Sequence, residues 1–95
     1  MELIELVQKP GAVVVDVREP WEFFLGHVPH SINIPLGSVP AQLERFREMT
    51  GPILLICASG NRSGQAAHFL QSQGLSQAFN AGGWREFKSA VAKAA

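Results

Sequence analysis

Two apolar runs constrain this chain more than any other feature. Ala12-Val13-Val14-Val15 and Ile53-Leu54-Leu55-Ile56 carry no alternation of polar and apolar side chains and are too short for buried helices. A strand wetted on one face alternates, whereas a continuous aliphatic run marks a strand covered on both faces, as in parallel sheets. Such a sheet needs helical crossovers, and the segments around these runs have helical spacing.

Leu3, Ile4, Leu6 and Val7 share one face of a short helix that Pro10-Gly11 ends. After Asp16-Val17-Arg18-Glu19, Pro20 suits the first turn of a helix reaching about Leu25, with Gly26 as its stop. Ser31-Ile32-Asn33-Ile34 reads as a short strand closed by Pro35. Ser38 is placed to cap a helix with Pro40 just inside it and Leu43, Phe46 and Met49 along one face. Gly51-Pro52 breaks that helix before the second apolar run. A further helix extends from Gly64 to about Gln73, where Gly74 supplies a left-handed terminus. Ala78-Phe79-Asn80 forms a last strand, and Gly82-Gly83 turns the chain into a final helix bearing Trp84, Phe87 and Val91. Strands alternating with helices give an α/β fold: a three-layer α/β/α sandwich around a parallel sheet of four to five strands.

The 95 residues suit one domain, 1–95, and a hydrophobic fraction of 46% suits a packed core. Eight basic and eight acidic residues, without blocks of one sign, give no footprint for nucleic acid or an anionic membrane. No apolar run reaches membrane-spanning length. The start, Met1-Glu2-Leu3-Ile4-Glu5, lacks the basic and apolar segments of a signal peptide, so a cytoplasmic protein is expected. A periplasmic domain whose signal had been removed would read the same.

The single cysteine excludes an internal disulfide and a cysteine-rich zinc site. Cys57 follows the second apolar run and precedes a helix, the sheet end at which open α/β folds bind ligands. A helix N-terminus there favours negative charge, so the thiol should ionise readily, and the thiolate is the nucleophile. Most free cysteines are merely small buried hydrophobes. The succession Ala58-Ser59-Gly60-Asn61-Arg62-Ser63 argues for more. Gly60 permits a tight loop whose amides converge on one point as an anion-binding nest. Arg62 is either a surface charge or a planar fork folded back over that nest, suited to sulfonate-like or phosphate-like oxygens. Ser63 serves as helix N-cap, as part of the nest, or both. Asp16 and Arg18, at a neighbouring strand end, either border the site or form a salt-bridge and capping network with Glu19 or Glu22. His27, His30 and His68 match no metal-ligand spacing, so no metal site is expected.

Two segments resemble the rhodanese-like family of sulfurtransferases. One comprises Val15-Asp16-Val17-Arg18-Glu19, Trp21-Glu22-Phe23, Gly26-His27-Val28-Pro29 and Ile32-Asn33-Ile34-Pro35. The other is Cys57-x-x-Gly60-x-Arg62-Ser63 before a helix, and a weaker third is Gly82-Gly83-Trp84. The resemblance implies that Cys57 carries the sulfur, that Ala58, Ser59, Gly60, Asn61, Arg62 and Ser63 form the loop holding the persulfide and the anionic donor, and that Asp16 and Arg18 support it. It implies a ping-pong reaction with no metal or organic cofactor. A small anionic donor such as thiosulfate loads Cys57, and a thiol, cyanide or a sulfur-accepting protein unloads it. Two other readings stand beside this one. The first is a non-enzymatic docking or sulfur-relay module. The second is cysteine phosphatase or arsenate reductase chemistry, whose loops keep one more residue between cysteine and arginine than the four present here. The shorter loop should close more tightly, around a single sulfur atom.

Overall fold

The computed structural model describes residues 2–94. Four parallel strands form one sheet: β1 (Val13–Asp16), β2 (Ile32–Asn33), β3 (Ile53–Cys57) and β4 (Ala78–Gly83), in the order β2-β1-β3-β4. Helices α1 (Leu3–Val7) and α5 (Trp84–Ala94) cover one face, and α3 (Leu43–Arg47) and α4 (Asn61–Ser72) cover the other. The expected three-layer α/β arrangement is thus present with four strands. The remaining helix, α2 (Pro20–Leu25), contributes no buried residue to either core and lies at the C-terminal end of the sheet beside the loop after β3.

β3 shows why the apolar runs decide the fold. All five of its residues are buried. Ile53, Leu55 and Cys57 join Phe46, Ala66, Ala67 and Leu70 on one face, whereas Leu54 and Ile56 join Leu6, Trp84 and Phe87 on the other. Each fully buried aliphatic side chain contributes about 1.5–3 kcal/mol of transfer free energy, so this strand can lie only in the middle layer. Ala66 and Ala67 are the small side chains that let α4 pack against it. From β1 the chain crosses to β2 on one side, and from β3 it crosses to β4 on the other. The crevice between the C-terminal ends of β1 and β3 is therefore a topological switch point, where Asp16 pairs in register with Ile56.

Four local expectations need correction. Ser38 caps no helix: residues 36–38 and 40–42 form two 3₁₀ turns, and α3 begins only at Leu43. Pro35 and Pro40 each precede or open a separate turn, and Pro40 brings no amide hydrogen for a continuous ladder. Leu43, Phe46 and Met49 still pack against the core. Gly26 ends α2 in extended backbone, not a left-handed turn, and is required for space: a Cβ there would meet the Trp84 ring at 3.1 Å. The second strand spans only Ile32–Asn33: the Ile34 amide makes the last ladder bond, to the Asp16 carbonyl, and Pro35 then brings no amide hydrogen. Finally, β4 continues through Gly82 and Gly83. An extra residue, Ala81, bulges between the pairs Leu55–Asn80 and Ile56–Gly82, and the positive φ of Gly82 (84°) lets pairing resume up to Cys57–Gly83. Gly74 holds the left-handed conformation expected of it, at φ 91°.

Asp16 and Arg18 pair with each other in the interior, not with Glu19 or Glu22. The Arg18 guanidinium donates to both carboxylate oxygens, at 3.0 and 2.8 Å, and to the Gly26 carbonyl at 2.7 Å. It also lies 4.5 Å from the Trp84 ring centroid. Asn33 ties down the carbonyls of both residues. Arg18→Leu would leave the Asp16 carboxylate, 0% exposed, without its cation. The expected loss is about 3–5 kcal/mol of unfolding free energy, read from urea denaturation at neutral pH, with a smaller loss for the double variant Asp16→Asn/Arg18→Leu.

Candidate active site

Cys57 is the last residue of β3 and is 1% exposed. Ala58 and Ser59 form an exposed loop, and Gly60, at φ 98°, turns it into α4. That left-handed conformation is strained for any side chain, which explains a glycine at this point. The helix starts earlier than expected: Asn61, Arg62 and Ser63 are its first turn, with Gly60 and not Ser63 at the N-cap. Ser63 is thereby released for another contact. Its buried hydroxyl lies 3.3 Å from Cys57 Sγ and 2.7 Å from Asn80 Oδ1.

The Gly60 amide donates to Sγ at 3.0 Å. Burial by itself pushes the Cys57 thiol up, since it disfavours the charged form. The Ser63 hydroxyl and the backbone amides of Ser63, Ser59 and Gly60 outweigh it, and the pKa falls below the ordinary thiol value. Because α4 points its N-terminus at this sulfur, the helix dipole acts in the same sense. The donors that converge on Sγ are neutral, and each of them favours the charged form of the sulfur.

Arg62 lies at the loop's end as expected, with its fork occupied. Nη1 and Nη2 donate to Oε1 and Oε2 of Glu22 on α2, at 2.7 and 3.1 Å. This bidentate pair lowers the Glu22 pKa to about 2 and raises that of Arg62, which also feels the negative charge of Cys57. Glu22 Oε1 also accepts the Glu19 amide at 2.9 Å, completing a capping box at the start of α2. One carboxylate therefore caps a helix and fastens it to the cysteine loop. The Asn61 side chain accepts from Gln65 along the surface of α4.

Asp16 and Arg18 stand at the adjacent strand end, and Arg18 lines a cleft of about 240 Å³ next to the loop. Trp21, Leu25, Trp84 and Arg85 form its walls, and the loop reaches it through Ala58. Trp21 and Leu25 are 66% and 76% exposed. None of the three histidines joins Cys57: His27 stacks on Phe23 at 3.9 Å and donates from Nδ1 to its carbonyl, and His30 and His68 are exposed. Among the described residues, no three His, Cys, Asp or Glu side chains cluster closely enough to hold a metal ion.

Glu22, Asn80 and Trp84 were not singled out by sequence reasoning as site residues. The spacing of Glu22 three residues after Glu19, around Pro20, could have signalled the capping box. Nothing in the sequence placed Glu22 against Arg62, forty residues away, or Asn80 against Ser63.

The family model for the rhodanese-like domain matches residues 1–90. The chain belongs to the rhodanese-like family. It is 38% identical to the thiosulfate sulfurtransferase GlpE of Pseudomonas putida, over 88% of this chain and 79% of the relative. A rhodanese from E. coli solved with anions superimposes with a TM-score of 0.72 at 32% identity, covering 79% of this chain and 89% of that one. The human single-domain sulfurtransferase TSTD1 superimposes with a TM-score of 0.73 at 27% identity, covering 92% and 89%. These likenesses support sulfurtransferase activity. Among the described residues no helix is long and apolar enough to cross a membrane.

The Glu22–Arg62 pair has a defined acid signature. A carboxylate lowered from 4.5 to about 2 stabilises the fold fully above about pH 4.5 and loses that contribution as pH falls toward 2. Glu22→Gln is expected to flatten this part of the stability–pH curve, measured by urea midpoints between pH 2 and 6. An unchanged slope would mean that the pair is not formed in solution.

Proposed function

We propose that this chain transfers sulfane sulfur through a persulfide on Cys57, from a small anionic donor such as thiosulfate to a thiol or cyanide. The observation that carries this reading is the cradle around Sγ: neutral amide and hydroxyl donors, one of them at 3.0 Å, with Arg62 already paired to Glu22. The Cys57 thiolate attacks the outer sulfur of the donor. A new S–S bond forms, the sulfur–sulfonate bond breaks, and sulfite leaves with its electron pair. The acceptor then attacks the outer sulfur of the persulfide, and Cys57 departs as a thiolate into the same donors. The two half-reactions sum to sulfur transfer with no redox partner or net proton change when donor and acceptor are anions.

The residues share this work unequally. Gly60 and the amides of Ser59 and Ser63 stabilise negative charge on Sγ before attack and again on departure. Ala58 and Ser59 are exposed and form the rim over which donor and acceptor approach. The Arg62 guanidinium, 33% exposed at its side chain, lends positive charge to the entrance. Two oxygens of Glu22 already take its parallel donors, so a donor's oxygens compete with a carboxylate or use the remaining N–H groups. Asp16 and Arg18 act at one remove, holding the adjacent strand end and the cleft wall in place.

The phosphatase alternative fits less well. A phosphate dianion needs a ring with a free arginine fork, and here the ring is one residue shorter and the fork is engaged. For a relay or docking module, the same persulfide would form and pass to a protein thiol, so the chemistry at Cys57 is shared.

Two experiments test the proposal. Thiocyanate formation from thiosulfate and cyanide is expected from the wild type and is abolished in Cys57→Ser. Intact-protein mass spectrometry after thiosulfate is expected to show one added sulfur in the wild type and none in the variant. Equal activity in both proteins, or no sulfur gain with any sulfane donor, would overturn the proposal. The pH dependence has a fixed sign: persulfide formation rises with pH as Cys57 ionises, with a midpoint below an ordinary thiol's 9.0. Ser63→Ala should move that midpoint upward and slow loading about three- to tenfold below it, with the deficit closing at high pH.

A further inference from the structure

The Ser63 hydroxyl has one hydrogen and two acceptors. Cys57 Sγ is 3.3 Å away and Asn80 Oδ1 is 2.7 Å away. The orientation of the Asn80 amide is fixed by two further bonds: Nδ2 donates to the Gly60 carbonyl at 3.0 Å, and Oδ1 accepts the Gly82 amide at 3.0 Å. A flipped amide would set its NH₂ against the Gly82 N–H and its oxygen against the Gly60 carbonyl, so Oδ1 must face Ser63. The bulge in β4 makes this possible: with Ala81 looped out, Asn80 accepts the Gly82 amide within its own strand. Gly64 leaves the room, because a Cβ there would lie 3.1 Å from Asn80 Nδ2.

We propose that Asn80 is a positioning residue that competes with the Cys57 thiolate for the Ser63 hydroxyl hydrogen and so sets how readily the sulfur ionises. With Cys57 as a thiol, Ser63 donates to Asn80 and accepts the S–H hydrogen. Ionisation removes that proton to solvent, and the hydroxyl hydrogen turns from Asn80 to sulfur. Thiolate formation therefore costs one Ser63–Asn80 bond. Once Cys57 carries a persulfide, Sγ is bonded to sulfur and uncharged, and the hydroxyl returns to Asn80. When the acceptor attacks, it swings back to receive the leaving thiolate. Asn80 holds the balance between a sulfur basic enough to attack and one acidic enough to leave, the two demands of thiol exchange. The kinetic part of this proposal rests on Cys57 being the sulfur carrier; the ionisation part does not.

The charged groups around Cys57 come from every neighbouring element. They are Arg62 on α4, paired to Glu22 of α2, and Asp16 at the end of β1, paired to Arg18. Glu86 at the start of α5 lies against Gly83, the register partner of Cys57. Asn80 is neutral and exposed on β4, so its replacement leaves these charges in place and fills no core position.

The test is a titration of Cys57, read by thiolate ultraviolet absorbance and by the pH dependence of iodoacetamide alkylation, neither of which requires turnover. Asn80→Leu is expected to lower the midpoint and to speed alkylation about three- to tenfold at a pH below the wild-type midpoint. In a Ser63→Ala background the same change should leave the midpoint where Ser63→Ala put it, since the competing hydrogen is gone. Asn80→Ala, with circular dichroism as a check on folding, should repeat the pattern if the leucine variant folds poorly. A midpoint that rises or stays fixed in the single variant would overturn the proposal, as would an equal shift in both backgrounds, because loop support alone does not depend on Ser63. If alkylation follows the expected pattern and sulfur loading still fails, the fault lies with the sulfurtransferase reading and not with Asn80.

Discussion

Everything in this structure depends on the burial of β3 from both sides. Its five residues divide between two hydrophobic cores, and β1 and β4 flank it in register. A strand so enclosed cannot end in solvent without a change of backbone direction at its tip. Cys57 is the last paired residue at that tip, three positions before Gly60, whose backbone is left-handed. The position of Cys57 is thus set by the most deeply buried strand, at the centre of the sheet.

The electrostatics follow from that position. Burial disfavours a charged sulfur, and the fold offsets this with amides and a hydroxyl; among the described residues no lysine or arginine hydrogen-bonds to Sγ. The one arginine of the loop is held at the side by Glu22. Neutral dipoles stabilise a thiolate without binding it so tightly that it loses nucleophilicity, a compromise suited to the proposed role of a sulfur that attacks and later leaves. The Glu22–Arg62 pair also joins α2, which buries nothing in either core, to the first turn of α4. An otherwise loosely held helix, with Trp21 and Leu25 facing solvent, is kept against the mouth of the site.

Boundaries were legible where a local rule had no competitor. Pro10-Gly11 ended α1, Pro20 opened α2 and Gly74 closed α4, since each depends on its own backbone. Ser38 failed as a cap because two prolines nearby imposed separate short turns. Gly82-Gly83 failed as a turn because β3 offered pairing partners as far as Cys57, and a bulge at Ala81 let glycine accept them. Ser63 looked like a helix cap because Ser caps helices; the helix had already started at Asn61, behind Gly60 as N-cap, which freed the hydroxyl for sulfur.

By itself the sequence determined the layer structure, the strand that bears the cysteine and the short loop that follows it, because these rest on hydrophobic periodicity, glycine and proline geometry and spacing along the chain. It also carried the family likeness. Tertiary structure alone decided which distant partners the charged and polar groups took: Glu22 with Arg62, and Asn80 with Ser63 and Gly60. The physical reason is distance along the chain. A hydrogen bond between residues 22 and 62 leaves no local pattern, and it exists only once the sheet has brought the two strand ends together.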